Sequence, residues 1–535
     1  MMDFALILLS SSFLLLSFPA FNADFLAWVG LVPLMIVLNG RSLRSAFFFS
    51  LVCGIVFFLG TFLWVSEVSQ FSTLYHGVLI LYLALYFGLF GLFYTFMTRR
   101  WGLMAAILSA PFLWVSLEYV RGNFFFLALP WQLLGHTQYQ HSMIIQIASI
   151  TGTYGLSFLV VLVNSALMIV IISILYRLGW YKPSSLTPPS MGGIGGGLFI
   201  TLTVVALFLI YGRGVLSRPI SGESVKLAVV QGNIEQKEKW DKRYARSIMQ
   251  VYADLTQQAS KDHPDLIVWP ETATPGSISR NVELLRATRG IAKKAGSPLL
   301  FGNAQHQKIG EKGDRRIEHQ NRASLISSKF NEAKDQHYTK IRLLPFAEYL
   351  PLKGVIPWHY LNVPDPGGYT PGEEFTVFEL PHFNFSATIC WENIFPDLFR
   401  QFVRRGAQVM INITNEAWFG RTASPYQFLA MSVFRAVENR IFVVRCGNSG
   451  VSCFIDPYGR IIDRVKDENA RDIFVRGVLT GTVIPLNSNT FFTRHGDWFG
   501  MMSVSFSAVF LLMAFFGKRH LIGGEKDQPK HAMHP

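Results

Sequence analysis

The sequence predicts a multi-span α-helical membrane domain joined to an α/β extracytoplasmic domain, and three observations predict it. Eight apolar segments lie outside one long polar stretch, residues 222–486. Lys and Arg alternate between the loops that separate those segments. Inside the polar stretch, short Val/Ile/Leu runs alternate with amphipathic stretches, the pattern of a covered sheet with intervening helices.

The apolar segments lie at 3–20, 25–39, 46–66, 73–98, 102–120, 153–176, 194–212 and 497–516. Each is near the ~20 residues that cross a bilayer, and the second is the shortest. Half of the 535 residues are hydrophobic, 46 are Phe, and 16% are charged. A soluble globular chain carries roughly 25% charged residues, so membrane spans account for much of the length. The first segment could be a signal peptide, but Met1-Met2-Asp3 has no positive charge and further spans follow, so a retained helix is expected. The expected organisation is a membrane domain at 1–212 with about seven helices, a polar domain at 222–486, a last span at 497–516 and a tail at 517–535.

The net charge of +13 would suit a nucleic-acid partner only if it were clustered among stacking aromatics, and it is not. Arg41 and Arg44, Arg99 and Arg100, Arg177 and Lys182, and Lys518 and Arg519 instead follow the even-numbered segments. The loops after segments one and three have neither Lys nor Arg, and the loop after segment five has only Arg121. This alternation places both termini and the tail in the cytoplasm and residues 213–496 on the far side, the periplasm of a diderm bacterium. The run GGIGGG at the start of segment seven lacks the Lys-Ser/Thr of a phosphate loop, so close helix packing is expected there. The long loop 121–152, with Trp131, Gly135 and Tyr139, is expected in the outer interface. Glu118, ahead of Arg121, reads equally as a headgroup or domain contact and as a helix-end ion pair.

Within the polar domain, VKLAVVQG (225–232) and DLIVWPE (265–271) read as strands. Residues 240–259 read as a helix with Tyr244, Ile248, Val251 and Leu255 on its apolar face. SPLLFGN, FSATICWE, AQVMINITNEAW and FVVRCGNSG repeat the strand pattern. Of the four cysteines, Cys53 lies in an apolar run, and Cys446 and Cys453 could pair. No C-x-x-C or Cys/His spacing occurs, and no metal or organic cofactor is implied.

Three patches carry chemistry: WPETATP around Glu271, YTKIRLLPFAEY around Lys340 and ATICWEN around Cys390. A cysteine needs a base to become a thiolate, and the tetrahedral oxyanion it makes needs a positive or hydrogen-bonding partner. Singly, each residue has an ordinary reading: a turn carboxylate, an exposed cation, an inert buried thiol. In the order Glu–Lys–Cys, at the ends of apolar runs, they form a far more specific pattern, because open α/β sheets bind ligands at strand ends.

WPETA, YTKIRLLPFAEYLP and ICWEN resemble the three motif blocks of the nitrilase superfamily. NEAWFG and FRAVENRIFVVRCGNSG resemble its downstream strand and helix. With the surrounding spans, and with LEYVRG (117–122), PWQLLGHTQ (130–138) and TYGLSFLVVLVN (153–164), the resemblance narrows to the apolipoprotein N-acyltransferase family and covers nearly the whole chain. It implies a nitrilase-like α-β-β-α sandwich at 222–486 in a multi-pass inner-membrane protein. It also implies Glu271 as general base, Lys340 as oxyanion stabiliser and Cys390 as nucleophile. The acyl donor would be a membrane phospholipid and the acceptor the α-amine of a diacylglyceryl apolipoprotein, reached through a Cys390 thioester. Glu348, Glu392 and Trp391 match supporting positions; Trp391 stands where the family often has Tyr. Trp418 and Phe419 match an apolar loop near the acyl channel, and Trp131 lies in a matching membrane motif, so all three are expected at the substrate, with a core role for Trp418 and Phe419 fitting equally. With the trio in one chain, a monomer is expected.

Two other readings use the same residues. A membrane-anchored nitrilase-type amidase would need the trio but only one span. A transporter or sensor would need intramembrane polar sites, and these spans have almost none apart from Glu118.

Overall fold

The structure, a computed structural model, describes residues 1–68, 71–179, 191–309, 316–327, 336–361, 363 and 365–516. Lys182 and the expected tail 517–535 lie outside the described residues. Among the described residues, six helices are long and apolar enough to cross a membrane: Leu43–Thr61, Thr73–Trp101, Leu103–Asn123, Thr153–Arg177, Gly195–Leu216 and Trp498–Phe516. Their ends follow local chemistry. The Ser72 hydroxyl accepts from the Tyr75 N–H at the start of Thr73–Trp101, and Arg99 and Arg100 sit in its last turn, where the helix dipole favours cations.

The first two expected spans differ from this pattern. Met2–Ser17 is a 16-residue apolar helix, shorter than the six above. Residues 24–38 form a 3-10 turn, Asp24–Trp28, and a separate helix, Val32–Leu38, with Pro33 in its first turn. For the second half of GGIGGG the close-packing reading is corrected: a Cβ placed on Gly195 or Gly196 would meet nothing within 4 Å, and one on Gly197 would only touch Ile169, so no close helix contact uses these three glycines.

The polar domain is built on two six-stranded sheets. The first runs β12-β1-β2-β3-β4-β5 and the second β11-β10-β9-β8-β7-β6. The strands of the first are β1 (Val225–Gln231), β2 (Leu266–Val268), β3 (Leu299–Ile309), β4 (Arg316–Ile326), β5 (Gln336–Thr339) and β12 (Gly477–Val483). Those of the second are β6 (Phe378–Glu379), β7 (Asn384–Ile389), β8 (Val409–Thr414), β9 (Phe442–Gly447), β10 (Cys453–Ile455) and β11 (Ile461–Arg464). β1-β2-β3 and β7-β8-β9 are the parallel centres.

The period of two along β1 shows why its run is continuously apolar. Leu227 and Val229 join the core shared with the second sheet, whereas Ala228 and Val230 pack with Ile248, Tyr252 and Leu255 of helix Ala245–Ala259. Helices Pro396–Arg404 and Ser424–Asn439 bury their apolar faces in the core of the second sheet. The result is an α-β-β-α sandwich. Cys453 pairs across strands with Arg445, so Cys446, the next residue of β9, points to the opposite face; the two thiols are both free.

Membrane helices and sandwich are joined by a buried polar and aromatic contact. Gln427 Oε1 accepts from the indoles of Trp64 (3.1 Å) and Trp131 (2.9 Å), and its amide donates to the Thr61 carbonyl. Trp131 packs edge-on against Phe428 at 4.6 Å. In the segment 121–152, Trp131, Gly135 and Tyr139 are buried while Phe124 and Phe125 stay exposed. The segment folds into short helical turns, including Leu134–Gln138, largely buried against both parts. Glu118 is buried and makes no ion pair with Arg121. Its carboxylate accepts from the Trp114 indole (2.9 Å) and the Leu134 N–H (2.7 Å), while the Arg121 guanidinium donates to the Trp131 carbonyl.

Candidate active site

Glu271, Lys340 and Cys390 each follow the end of a strand, β2, β5 and β7, and the three meet between the sheets. Glu271 lies in a turn that needs Gly302 beside it: a Cβ there would come within 2.5 Å of the Glu271 Cα. Ala273 N–H donates to the Gly302 carbonyl and Gly302 N–H to the Pro270 carbonyl, tying this turn to β3. Lys340 is placed by its own backbone, its N–H donating to the Asn321 carbonyl and its carbonyl accepting from Gly372. Cys390 opens a 3-10 turn, Cys390–Ile394, with φ of +56°. That left-handed conformation costs about 1–3 kcal/mol for a non-glycine residue and persists only where neighbours hold it. Here the Asn412 amide donates to the Cys390 carbonyl at 3.2 Å, and Glu392 anchors the turn.

Glu392 is a clamp. One oxygen accepts from the Tyr338 hydroxyl (2.7 Å) and from the N–H groups of Ile341 and Arg342 (2.8 and 2.9 Å), and the other from the Ile389 N–H (2.8 Å). It thus fixes the chain after Lys340 to the chain before Cys390. Burial pushes its carboxyl up to about 7, against the pull of those donors and of Lys340. The Trp391 indole adds a second tie, donating to the Arg342 carbonyl at 2.6 Å.

The charged cluster is nearly dry: Lys340 is 1% exposed and Glu271 7%. Lys340 Nζ lies 2.9 Å from Glu348 Oε1 and 3.9 Å from Glu271 Oε1, so one ammonium bridges two carboxylates. Burial alone would lower the Lys340 pKa, but Glu348, Cys390 and Glu271 outweigh it and hold the amine protonated. Burial and the nearby Glu271 carboxylate push the Cys390 thiol well up, with Lys340 opposing them, so the resting sulfur is a thiol. Glu271 Oε1 accepts from the Asn321 amide (2.7 Å) and Oε2 from the Asn415 N–H (2.9 Å), and each oxygen keeps a lone pair free for a proton. This arrangement can move a proton off sulfur and compensate negative charge growing beside it.

Sequence reasoning missed several members. Lys239, buried in the segment QKEKW, donates to the Glu271 carbonyl at 2.9 Å. Burial brings its amine down to about 7, against the attraction of Glu271 and Cys390. The Asn321 amide and the Asn415 N–H orient the Glu271 carboxylate; no local signal marks Asn321, and Asn415 opens the NEAWFG block without revealing this role. Phe419 sits at the domain joint, 4.9 Å from the Trp64 ring, with Trp418 beside it half-buried. Trp131 is buried in the same joint behind them. Among the described residues, no group of three His, Cys, Asp or Glu side chains is placed to hold a metal ion.

Residues 10–166 match the family model described as apolipoprotein N-acyltransferase N-terminal domain, and residues 226–485 match the one described as carbon-nitrogen hydrolase. Over 524 residues the chain is 33% identical to the apolipoprotein N-acyltransferase of Geobacter metallireducens, covering 96% of this chain and 95% of that one. It is 30% identical over 551 residues to the one from Chlorobaculum tepidum, covering 96% and 97%. Among solved structures, a Nesterenkonia amidase from the nitrilase superfamily is 18% identical, with a TM-score of 0.36, covering 53% of this chain and 95% of its own.

Proposed function

The chain belongs to the apolipoprotein N-acyltransferase family, and we propose that it acylates the N-terminal amine of lipoproteins in two steps through Cys390. In the first step Glu271 takes the Sγ proton as the sulfur attacks an ester carbonyl of a membrane phospholipid. Lys340, with the Trp391 N–H, stabilises the oxyanion. The C–O bond then breaks, the lysophospholipid oxygen leaves with the proton from Glu271, and the acyl chain stays as a thioester. In the second step the α-amine of a diacylglyceryl-cysteine attacks, Glu271 removes its proton, and the returning thiolate is reprotonated. Acyl transfer by this route is ping-pong and requires no metal or organic cofactor.

One observation carries this reading: a resting thiol, a carboxylate with free lone pairs and a protonated amine share one buried site. Glu348 holds the amine, and Glu392 and Trp391 hold the loops. Trp418 and Phe419 are assigned to the substrate path, with Trp131 supporting them through the joint. The test is purified protein in detergent with acyl-labelled phospholipid. The label is expected on the Cys390 peptide, released by hydroxylamine and discharged onto a synthetic diacylated lipopeptide. Label on no cysteine, or a thioester that the lipopeptide cannot discharge, would overturn the scheme.

The proposal extends to topology: an inner-membrane protein, acting as a monomer, with the sandwich periplasmic and both termini cytoplasmic. It is supported by the Lys/Arg alternation. Reporter fusions after Arg44, Arg100 and Lys182 are expected to report cytoplasm, and fusions within 230–480 periplasm. A cytoplasmic signal from within 230–480 would remove both the orientation and the lipoprotein acceptor.

A further inference from the structure

Between the membrane-domain segment after helix Leu103–Asn123 and the rim of the sandwich lies a cavity of about 340 Å³. Phe125 and Phe126 form one side, and Arg342, Tyr349, Tyr369 and Trp391 the other. Trp391 and Arg342 neighbour the reacting groups in sequence, each one or two residues from Cys390 or Lys340, so this cavity adjoins the candidate site. Among the described residues, Arg342 is its one charged lining residue.

The Arg342 backbone is fully committed, its N–H to Glu392 and its carbonyl to the Trp391 indole. Its guanidinium stacks over the Phe395 ring, 4.4 Å from the centroid, and among the described residues makes no hydrogen bond. The two carboxylates that act on it are occupied elsewhere. Asp397 accepts from Arg400 Nε at 2.8 Å, and Glu392 holds its four donors. Arg342 therefore presents a fork of donors and a positive charge to a mostly apolar cavity, the pattern suited to a phosphate oxygen pair.

The surroundings indicate where such a phosphate would come from. Phe125 is 72% exposed beside the end of a candidate span. Beyond the cavity wall at Tyr349, the chain exposes Leu352, Val355 and Tyr360. Exposed aromatic and aliphatic side chains beside a span are suited to the bilayer interface.

We propose that this cavity is the headgroup subsite of the acyl donor, with Arg342 gripping the phosphodiester while the ester reaches Cys390. The assignment rests on the two-step reading above. The experiment compares Cys390 loading, as kcat/KM, from micellar phosphatidylethanolamine and from p-nitrophenyl palmitate, an ester without phosphate, in wild type, R342A and R342K. A charge-assisted hydrogen bond lost from a binding site corresponds to roughly a 10–100-fold effect. R342A is expected to lower the phosphatidylethanolamine-to-palmitate ratio by that factor, chiefly through KM, with R342K in between because it keeps the charge and loses the fork. An unchanged ratio with equal losses on both donors would make Arg342 a structural residue and overturn the subsite. An unchanged ratio together with Arg342-dependent inhibition by inorganic phosphate would assign the cavity to a free anion and overturn the headgroup. Wild type that loads from the palmitate ester but from no phospholipid would overturn the donor reading itself, and the subsite with it.

Discussion

Cys390→Ala is expected to insert and fold, to form no acyl adduct and to lose transfer by roughly 10⁴-fold or more, the scale seen when a covalent nucleophile is removed. The substitution deletes one sulfur from a turn whose backbone is held by Asn412, Glu392 and Trp391, so the φ of +56° remains enforced. The control lies in the other thiols. Cys53, Cys446 and Cys453 are all buried, and burial raises the pKa of Cys446 and Cys453; the Cys446 Sγ–H points to the Val268 carbonyl at 3.3 Å. Neither Cys53 nor Cys446 faces both a base and a cation, and the charges that act on Cys453 are already paired with each other, Arg445 with Glu416 at 2.6 Å and Arg464 with Asp472 at 2.9 Å. Cys53→Ala, Cys446→Ala and Cys453→Ala should cost packing but keep loading and transfer. Near wild-type transfer by Cys390→Ala, read with labelled phospholipid and lipopeptide, would end the thioester scheme.

What the sequence revealed and what it hid follow from the range of the interactions involved. Glu271, Lys340 and Cys390 were legible because each follows an apolar run, and the end of such a run is the end of a strand whatever the rest of the chain does. The sandwich was legible through the same runs. The partners that tune the trio were not. Asn321 is a polar residue inside β4, and Lys239 sits in a charged, aperiodic segment; only the pairing of β4 and β5 and the approach of residues 236–239 to the Glu271 turn give them their roles. Trp131 shows the same limit from the apolar side. Its hydrophobicity predicts burial but cannot distinguish lipid or substrate from Gln427 and Phe428, which lie about three hundred residues away. Hydropathy likewise marks eight apolar segments but not where a helix breaks, as at the turn Asp24–Trp28 inside the second.

Lys340→Ala is expected to lose acyl-enzyme formation by about 10²–10³-fold, because an unactivated ester needs its oxyanion stabilised and one donor is worth that much. A second consequence separates this role from simple structural support. The ammonium lies between Glu348 and Glu271, at 2.9 and 3.9 Å. Without it, two carboxylates share a buried site with no counter-charge, and like-charge repulsion and burial both raise their pKa values. Glu271 must be ionised to take the Cys390 proton, so it is then increasingly protonated near neutral pH. Residual loading by Lys340→Ala should therefore climb as pH rises, with its acid limb displaced to higher pH than that of wild type. Lys340→Arg retains the charge but not the compact geometry, and should restore the acid limb without restoring the full rate. The Trp418→Ala/Phe419→Ala double variant gives the contrast in the same assay: loading persists while discharge onto the lipopeptide slows, since these rings touch neither Glu271 nor Lys340 in the hydrogen-bond network. Normal loading in Lys340→Ala would remove this residue from the catalytic set. A lowered rate with an unshifted acid limb would leave it holding Glu348 in place, with the oxyanion bound by the Trp391 N–H alone.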